Sequence, residues 1–243
     1  MNQREIPLDE RIIFALDVPS KKLAQEWVRR LEGEVRFFKV GLELFSSAGP
    51  DIVEWLIGQN FKVMLDLKFF DVPETVKRAV ANLKGTGISF LTVHGFKSVV
   101  QAALEADPDF ELLAVTVLTS FSEEDKKDLG IGEARTIQDV VLERAKGAVA
   151  LGCHGIVCSP RELVLLRKEL GFDFKCVTPG IRPSFSSKVI QRDDQARTET
   201  PGVAISSGAD HIVIGRPIRN AEDPVGAARL IKQEILNYLK SPS

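Results

Sequence analysis

Cysteine, histidine, methionine, tryptophan and tyrosine are all scarce here, with 3, 3, 2, 2 and 1 residues in a chain of 243. Three cysteines are too few, and odd in number, for a disulfide framework. Cys153, Cys158 and Cys176 lie beside or within apolar runs and read as buried reduced thiols. The order Cys153-His154 then Cys158 has a zinc-like spacing, but no convincing fourth ligand accompanies it. No apolar run approaches the roughly 20 residues needed to span a bilayer. The opening residues 1–5 are polar and carry no signal-like segment, so a cytoplasmic location without membrane attachment is expected. Charge of one sign is also missing: Lys+Arg total 32 against Asp+Glu 34, for a net charge of −2 and a pI of about 6.0. Such a chain has no basic field to recruit a nucleic acid polymer, and any anionic ligand must be held by local groups. Low-complexity tracts and an interdomain linker are absent as well.

What is present is a regular alternation. Short apolar runs at 12–18, 37–42, 62–68, 89–94, 112–118, 155–159, 174–179 and 211–215 read as strands. Helix-like segments at 20–31, 50–59, 74–84, 98–106, 137–151, 161–170 and 202–207 fall between them, and 224–239 closes the chain. Strands this continuously apolar are buried on both faces, as in a parallel sheet. Eight such units in 243 residues favour closure over a doubly wound sheet. The expected fold is therefore α/β, a single-domain (β/α)8 TIM barrel over residues 1–243. Two stretches break the rhythm. The polar, Ser- and Arg-rich segment 181–200 is long enough to be a lid, and 122–136 is mixed in character.

Against this apolar background, Asp66-Leu67-Lys68-Phe69-Phe70-Asp71 stands out. Alternation along a strand points Asp66 and Lys68 to the same side. Burying either charge alone would cost several kcal/mol, so the cluster is either paired or chemically employed. Barrel active sites lie at the C-terminal ends of the strands. There the sequence offers Asp17, Lys39, the Asp66/Lys68/Asp71 group, His94, Thr119-Ser120, Arg182 and Gly215-Arg216. Gly215-Arg216 reads as an anion clamp: glycine lets the backbone approach a ligand, and arginine presents a planar fork to phosphate oxygens. Lys39 could alternatively snorkel to one barrel end, and His94 could equally be a core histidine. His154 and His211 read as structural or exposed, and Trp27 and Trp55 as packing residues on helical stripes.

With these residues in view, the chain resembles the orotidine 5′-monophosphate decarboxylases. The likeness runs through Leu16-Asp17-Val18, Lys39-Val40-Gly41, Asp66 to Thr75, Thr92-Val93-His94-Gly95 and Leu118-Thr119-Ser120. It continues through Thr178 to Pro183, Asp194-Gln195-Ala196-Arg197 and Ile214-Gly215-Arg216-Pro217. The resemblance implies a TIM-barrel homodimer that converts orotidine monophosphate to uridine monophosphate and carbon dioxide with no metal or organic cofactor. It makes Lys68 the proton donor to the ring carbon and sets Asp66 against the departing carboxylate. Lys39 and Asp17 complete the charged array, while Asp71 and Thr75 reach into the partner's site. Thr119 would contact the pyrimidine, and Arg182, Gln195, Gly215 and Arg216 would serve the phosphate and the closing loop. The stretch between Arg182 and Gln195 is a few residues longer than in close bacterial relatives, so Gln191 competes with Gln195 for the phosphate. Two alternatives stand beside this reading. One is a metal-dependent phosphosugar decarboxylase of the same barrel group, which would want a carboxylate where Lys39 stands. The other is a catalytically silent barrel that only binds nucleotides.

Overall fold

A computed structural model of the protein describes residues 5–128, 130–185 and 198–240. Its eight parallel strands are β1 (Ile12–Ala15), β2 (Phe37–Gly41), β3 (Lys62–Phe69), β4 (Phe90–His94), β5 (Glu111–Val115), β6 (Gly155–Val157), β7 (Lys175–Thr178) and β8 (His211–Ile214). They pair in chain order, and β8 returns to β1 to close the barrel. The TIM-barrel expectation holds. Every residue of β1 and β2 is buried because each strand has two covered faces. Ile12 and Phe14 face the surrounding helices, whereas Ile13 and Ala15 face the barrel interior with Met64, Leu113, Val177 and Val213.

The outer ring includes α2 (Lys21–Arg30), α4 (Asp51–Gly58), α5 (Pro73–Ala81), α6 (Lys97–Glu105), α8 (Ile137–Ala150), α9 (Leu163–Leu170), α10 (Pro201–Ser206) and α12 (Pro224–Lys240). Four short helices were not expected: α1 (Leu8–Arg11), α3 (Leu42–Ala48), α7 (Glu123–Asp128) and α11 (Arg216–Arg219). Each spans two turns or fewer, too short for a helical period to emerge from its sequence. Helix α7 lies in the irregular stretch 122–136, which ends where Thr136 and Asp139 form a capping box for α8.

Several strands also stop earlier than their apolar runs. Leu16, Thr116 and Cys158 each donate one more backbone hydrogen bond to the neighbouring strand, to Lys39, Val157 and Val177, and the chain then turns away. Those turned-out ends form the upper rim. Of the proposed lid segment, only the base is described: Ile181 bridges Glu199, and the amide of Arg182 donates to the carbonyl of Glu199 at 2.8 Å.

The floor of the barrel is built from paired groups. Lys175 donates to Glu111 at 2.6 Å, and Lys62 to Glu10 at 2.6 Å. His211 is buried edge-on against Phe37 and Phe90, and its Nδ1 lies 2.9 Å from the carbonyl of Glu10. A carbonyl only accepts, so Nδ1 is the protonated nitrogen. Burial pushes this imidazole down to about 4. Cys153, Cys158 and Cys176 are free and buried, and desolvation lifts the Cys153 thiol to about 11.

Candidate active site

A cavity of about 440 Å³ opens at the C-terminal end of the barrel. A larger one, about 850 Å³, lies at the floor, but the charges of Lys175, Glu111, Lys62 and Glu10 are engaged there with one another. The upper cavity gathers the polar groups that interrupt the apolar strands. Asp17 comes from just beyond β1, Lys39 from β2, and Asp66 and Lys68 from β3. Thr119 follows β5, Arg182 follows β7, and Gly215 and Arg216 follow β8.

Four of these side chains form a chain of alternating charge. Asp17 accepts from Lys39 Nζ at 2.9 Å, and that ammonium lies 3.5 Å from Oδ2 of Asp66. The other oxygen of Asp66 accepts from Lys68 Nζ at 2.8 Å. Lys39 and Asp66 are buried, at 9% and 8% exposure. Burial alone would lower the Lys39 pKa, but Asp66 and Asp17 outweigh it and leave the pKa above its ordinary value. Burial likewise opposes ionisation of Asp66. Lys39 and Lys68, with hydrogen bonds from Lys68 and Thr92, reverse that and hold its carboxyl below the usual range. Lys39 therefore does not snorkel; its ammonium bridges two carboxylates. Among the described residues, no group of three His, Cys, Asp or Glu side chains converges as a metal site.

Simple alternation along β3 does not account for the meeting of Asp66 and Lys68. The pairing with β4 runs Leu65↔Leu91 and then jumps to Phe69↔Val93, so three residues of β3 stand opposite Thr92 alone. This bulge carries Lys68 in a left-handed conformation, φ +50°. A non-glycine residue there costs on the order of 1–3 kcal/mol and is held by its surroundings. The holding groups are visible: the Lys68 amide donates to the Thr92 hydroxyl at 2.9 Å, and that hydroxyl donates to Asp66 at 2.9 Å.

Asp71 and Thr75 do not join this chain. Both are exposed, and the Asp71 carboxylate accepts from the next residue's amide at 2.6 Å. The three-charge cluster read from the sequence is thus two charges at the site and one on the rim. His94 is neither in the core nor in the cavity. It sits half-buried on the rim, 5.0 Å from the Phe70 ring, with its pKa lowered by burial and by Arg144 and Lys68. Gln191 and Gln195 lie outside the described residues.

Three contributors went unassigned in the sequence. Thr92 is one. Gly41 is another, because a Cβ there would lie 2.9 Å from Lys39 Nζ and 3.4 Å from Asp17, inside their ion pair. Arg219 is the third and donates to the backbone carbonyl of Asp17, fixing the end of β1. Thr92 and Gly41 lie within the motifs and Arg219 just beyond one, but only three-dimensional proximity reveals what they do.

Residues 10–231 match the family described as orotidine 5′-phosphate decarboxylase / HUMPS. The chain belongs to that family. A relative from Methylococcus capsulatus, named orotidine 5′-phosphate decarboxylase, is 45% identical over 236 residues, covering 97% of this chain and 96% of its own. One of the same name from Syntrophotalea carbinolica is 44% identical over 242 residues, covering 95% and 97%. The crystal structure of orotidine 5′-phosphate decarboxylase from Lactobacillus acidophilus superposes with a TM-score of 0.79 at 36% identity, covering 93% of this chain and 99% of that one. Every strand of the barrel lies within the span matched to the orotidine 5′-phosphate decarboxylase / HUMPS family, so the cavity described above falls within it too.

Proposed function

We propose that this protein decarboxylates orotidine 5′-monophosphate to uridine 5′-monophosphate in pyrimidine biosynthesis, with no metal or organic cofactor. The observation that carries the reading is the alternating chain Asp17–Lys39–Asp66–Lys68 at the cavity floor. Breaking the bond from the ring to the carboxylate releases carbon dioxide and leaves an electron pair on the ring carbon. A fixed ammonium stabilises that charge as it forms and then delivers a proton to the carbon. Lys68 has the cavity access for this role, and the left-handed backbone presents its side chain there. Asp66 orients the ammonium and lies beside the substrate carboxylate, while Lys39 and Asp17 complete the array around the ribose. Thr119 contacts the pyrimidine. Arg182, Gly215 and Arg216, converging from the ends of β7 and β8, take the phosphate together with Gln195. Phosphate sites in such barrels commonly form there.

The working unit in this reading is a homodimer. Phe70 and Val72, which flank Asp71, are 60% and 63% exposed, and Leu42, which lines the cavity just after β2, is 59% exposed. Apolar side chains so exposed beside an active-site rim favour a protein partner, and a second copy would receive Asp71 and Thr75 into its own site. No helix among the described residues is long and apolar enough to cross a membrane. A cytoplasmic location fits this reading of a biosynthetic enzyme.

The decisive experiment follows the ultraviolet absorbance of orotidine monophosphate with purified protein. Turnover is expected in the wild type after exhaustive chelation. It should be lost in Lys68→Ala, which should still bind the nucleotide. No absorbance change at micromolar wild-type enzyme would sink the reading, and near-normal turnover by Lys68→Ala would remove Lys68 as the proton donor.

A further inference from the structure

Thr92 faces the charged chain from inside β4 and is fully buried. Its hydroxyl fills the gap that the β3 bulge opens in the ladder. Three residues of β3 oppose this single position, and the Lys68 amide, displaced from a backbone acceptor, donates to the Thr92 oxygen at 2.9 Å. The one hydroxyl proton then goes to Oδ1 of Asp66, also at 2.9 Å. That same oxygen receives Lys68 Nζ at 2.8 Å. A ring of contacts results: Lys68 backbone to Thr92, Thr92 to Asp66, and Asp66 back to the Lys68 side chain. Each hydroxyl function is used once, so the direction of every bond is fixed.

We infer that Thr92 is a positioning residue for the reaction. It clamps the left-handed backbone of Lys68 and the carboxylate of Asp66 to each other, and so sets where the reactive ammonium stands. The inference rests on the decarboxylase reading for its kinetic consequence, but not for its geometry. A side chain of the same shape without the hydroxyl would leave the Lys68 amide with no acceptor and Asp66 with one donor fewer. Lys68 would then sample more than one position. A displacement of this kind weakens interactions that matter in the transition state and leaves remote phosphate binding in place.

The test compares Thr92→Val, which keeps shape but lacks the hydroxyl, with Thr92→Ser, which keeps the hydroxyl. Thr92→Val should lower kcat by about 10- to 100-fold, the range for a lost hydrogen bond to a charged group. KM should stay within about threefold, and Thr92→Ser should recover most of the lost kcat. On the free proteins, NMR should show the Lys68 amide exchanging faster in Thr92→Val than in wild type or Thr92→Ser, with exchange in the helices unchanged. A purely structural role would speed exchange throughout and would not separate kcat from KM. The inference is overturned if Thr92→Val keeps wild-type kcat, if Thr92→Ser fails to rescue, or if Lys68 amide exchange does not change. Should the wild type itself not turn over orotidine monophosphate, the decarboxylase reading falls, and the exchange measurement still decides whether Thr92 holds Lys68.

Discussion

A lone lysine or aspartate inside a barrel would be a liability; here each charge is neutralised by the next. Removing one member exposes the others. Loss of a partner from a buried pair costs about 3–5 kcal/mol, because an uncompensated charge remains. Arg216 is different: it lines the cavity outside that chain, and in the proposed reading it meets the phosphate. Arg216→Ala should therefore fold normally, raise KM strongly and reduce kcat/KM by roughly 10- to 100-fold, as for a lost charge-assisted contact. Steady-state kinetics with orotidine monophosphate measures this, and unchanged constants would remove Arg216 from the phosphate site. The charged residues were legible in the sequence because they interrupt apolar strands. Thr92 was not, since threonine is an ordinary strand residue and its hydroxyl gains meaning only opposite the bulge. Gly41 was equally silent: what matters there is the space its missing Cβ leaves for Lys39.

Among the elements, strands were easier to recognise than helices. Both-face burial writes a continuous apolar run into each strand, whereas helices such as Leu8–Arg11 and Arg216–Arg219 are a single turn and leave no period. The floor of the barrel gives the elements a pH dependence of their own. His211 titrates near 4 in the folded protein against an ordinary 6.5, so between those values the unfolded chain binds a proton that the native state does not. Stability from this group is complete above pH 6.5 and declines as pH falls towards 4, by on the order of 3 kcal/mol over the window. Urea unfolding of wild type and His211→Phe at pH 7 and pH 5 checks it. The wild type should lose more stability on acidification than the variant, and equal losses would mean that His211 is not the group responsible.

For the whole molecule, the question is how many chains build one site. Asp71 and Thr75 are exposed and do not line the cavity of their own barrel, and the apolar Phe70 and Val72 beside them are uncovered. If each barrel completes its neighbour, Lys68→Ala and Asp71→Ala, both inactive alone, should complement when co-refolded. In a mixed dimer one site recovers both native residues, so an equal mixture should regain about a quarter of the wild-type sites. Activity measured before and after co-refolding decides this. No recovery would confine Asp71 to its own chain. The barrel closure itself was legible from eight regular units, whereas sharing of a site between chains was expected only from the family resemblance, because alternation along six contiguous residues does not say that Asp71 is exposed on the rim.

The left-handed backbone at Lys68 has one more consequence. Alanine normally suits a folded chain better than glycine, since glycine has more freedom to lose. At Lys68 that ranking should invert. Lys68→Gly and Lys68→Ala both lack the ammonium and differ only in tolerance of positive φ, so thermal melting should find the glycine variant more stable, by up to about 1 kcal/mol. Both should be inactive. The comparison separates what the strained backbone costs from what the lost ion pair with Asp66 costs, since both variants give up the second equally.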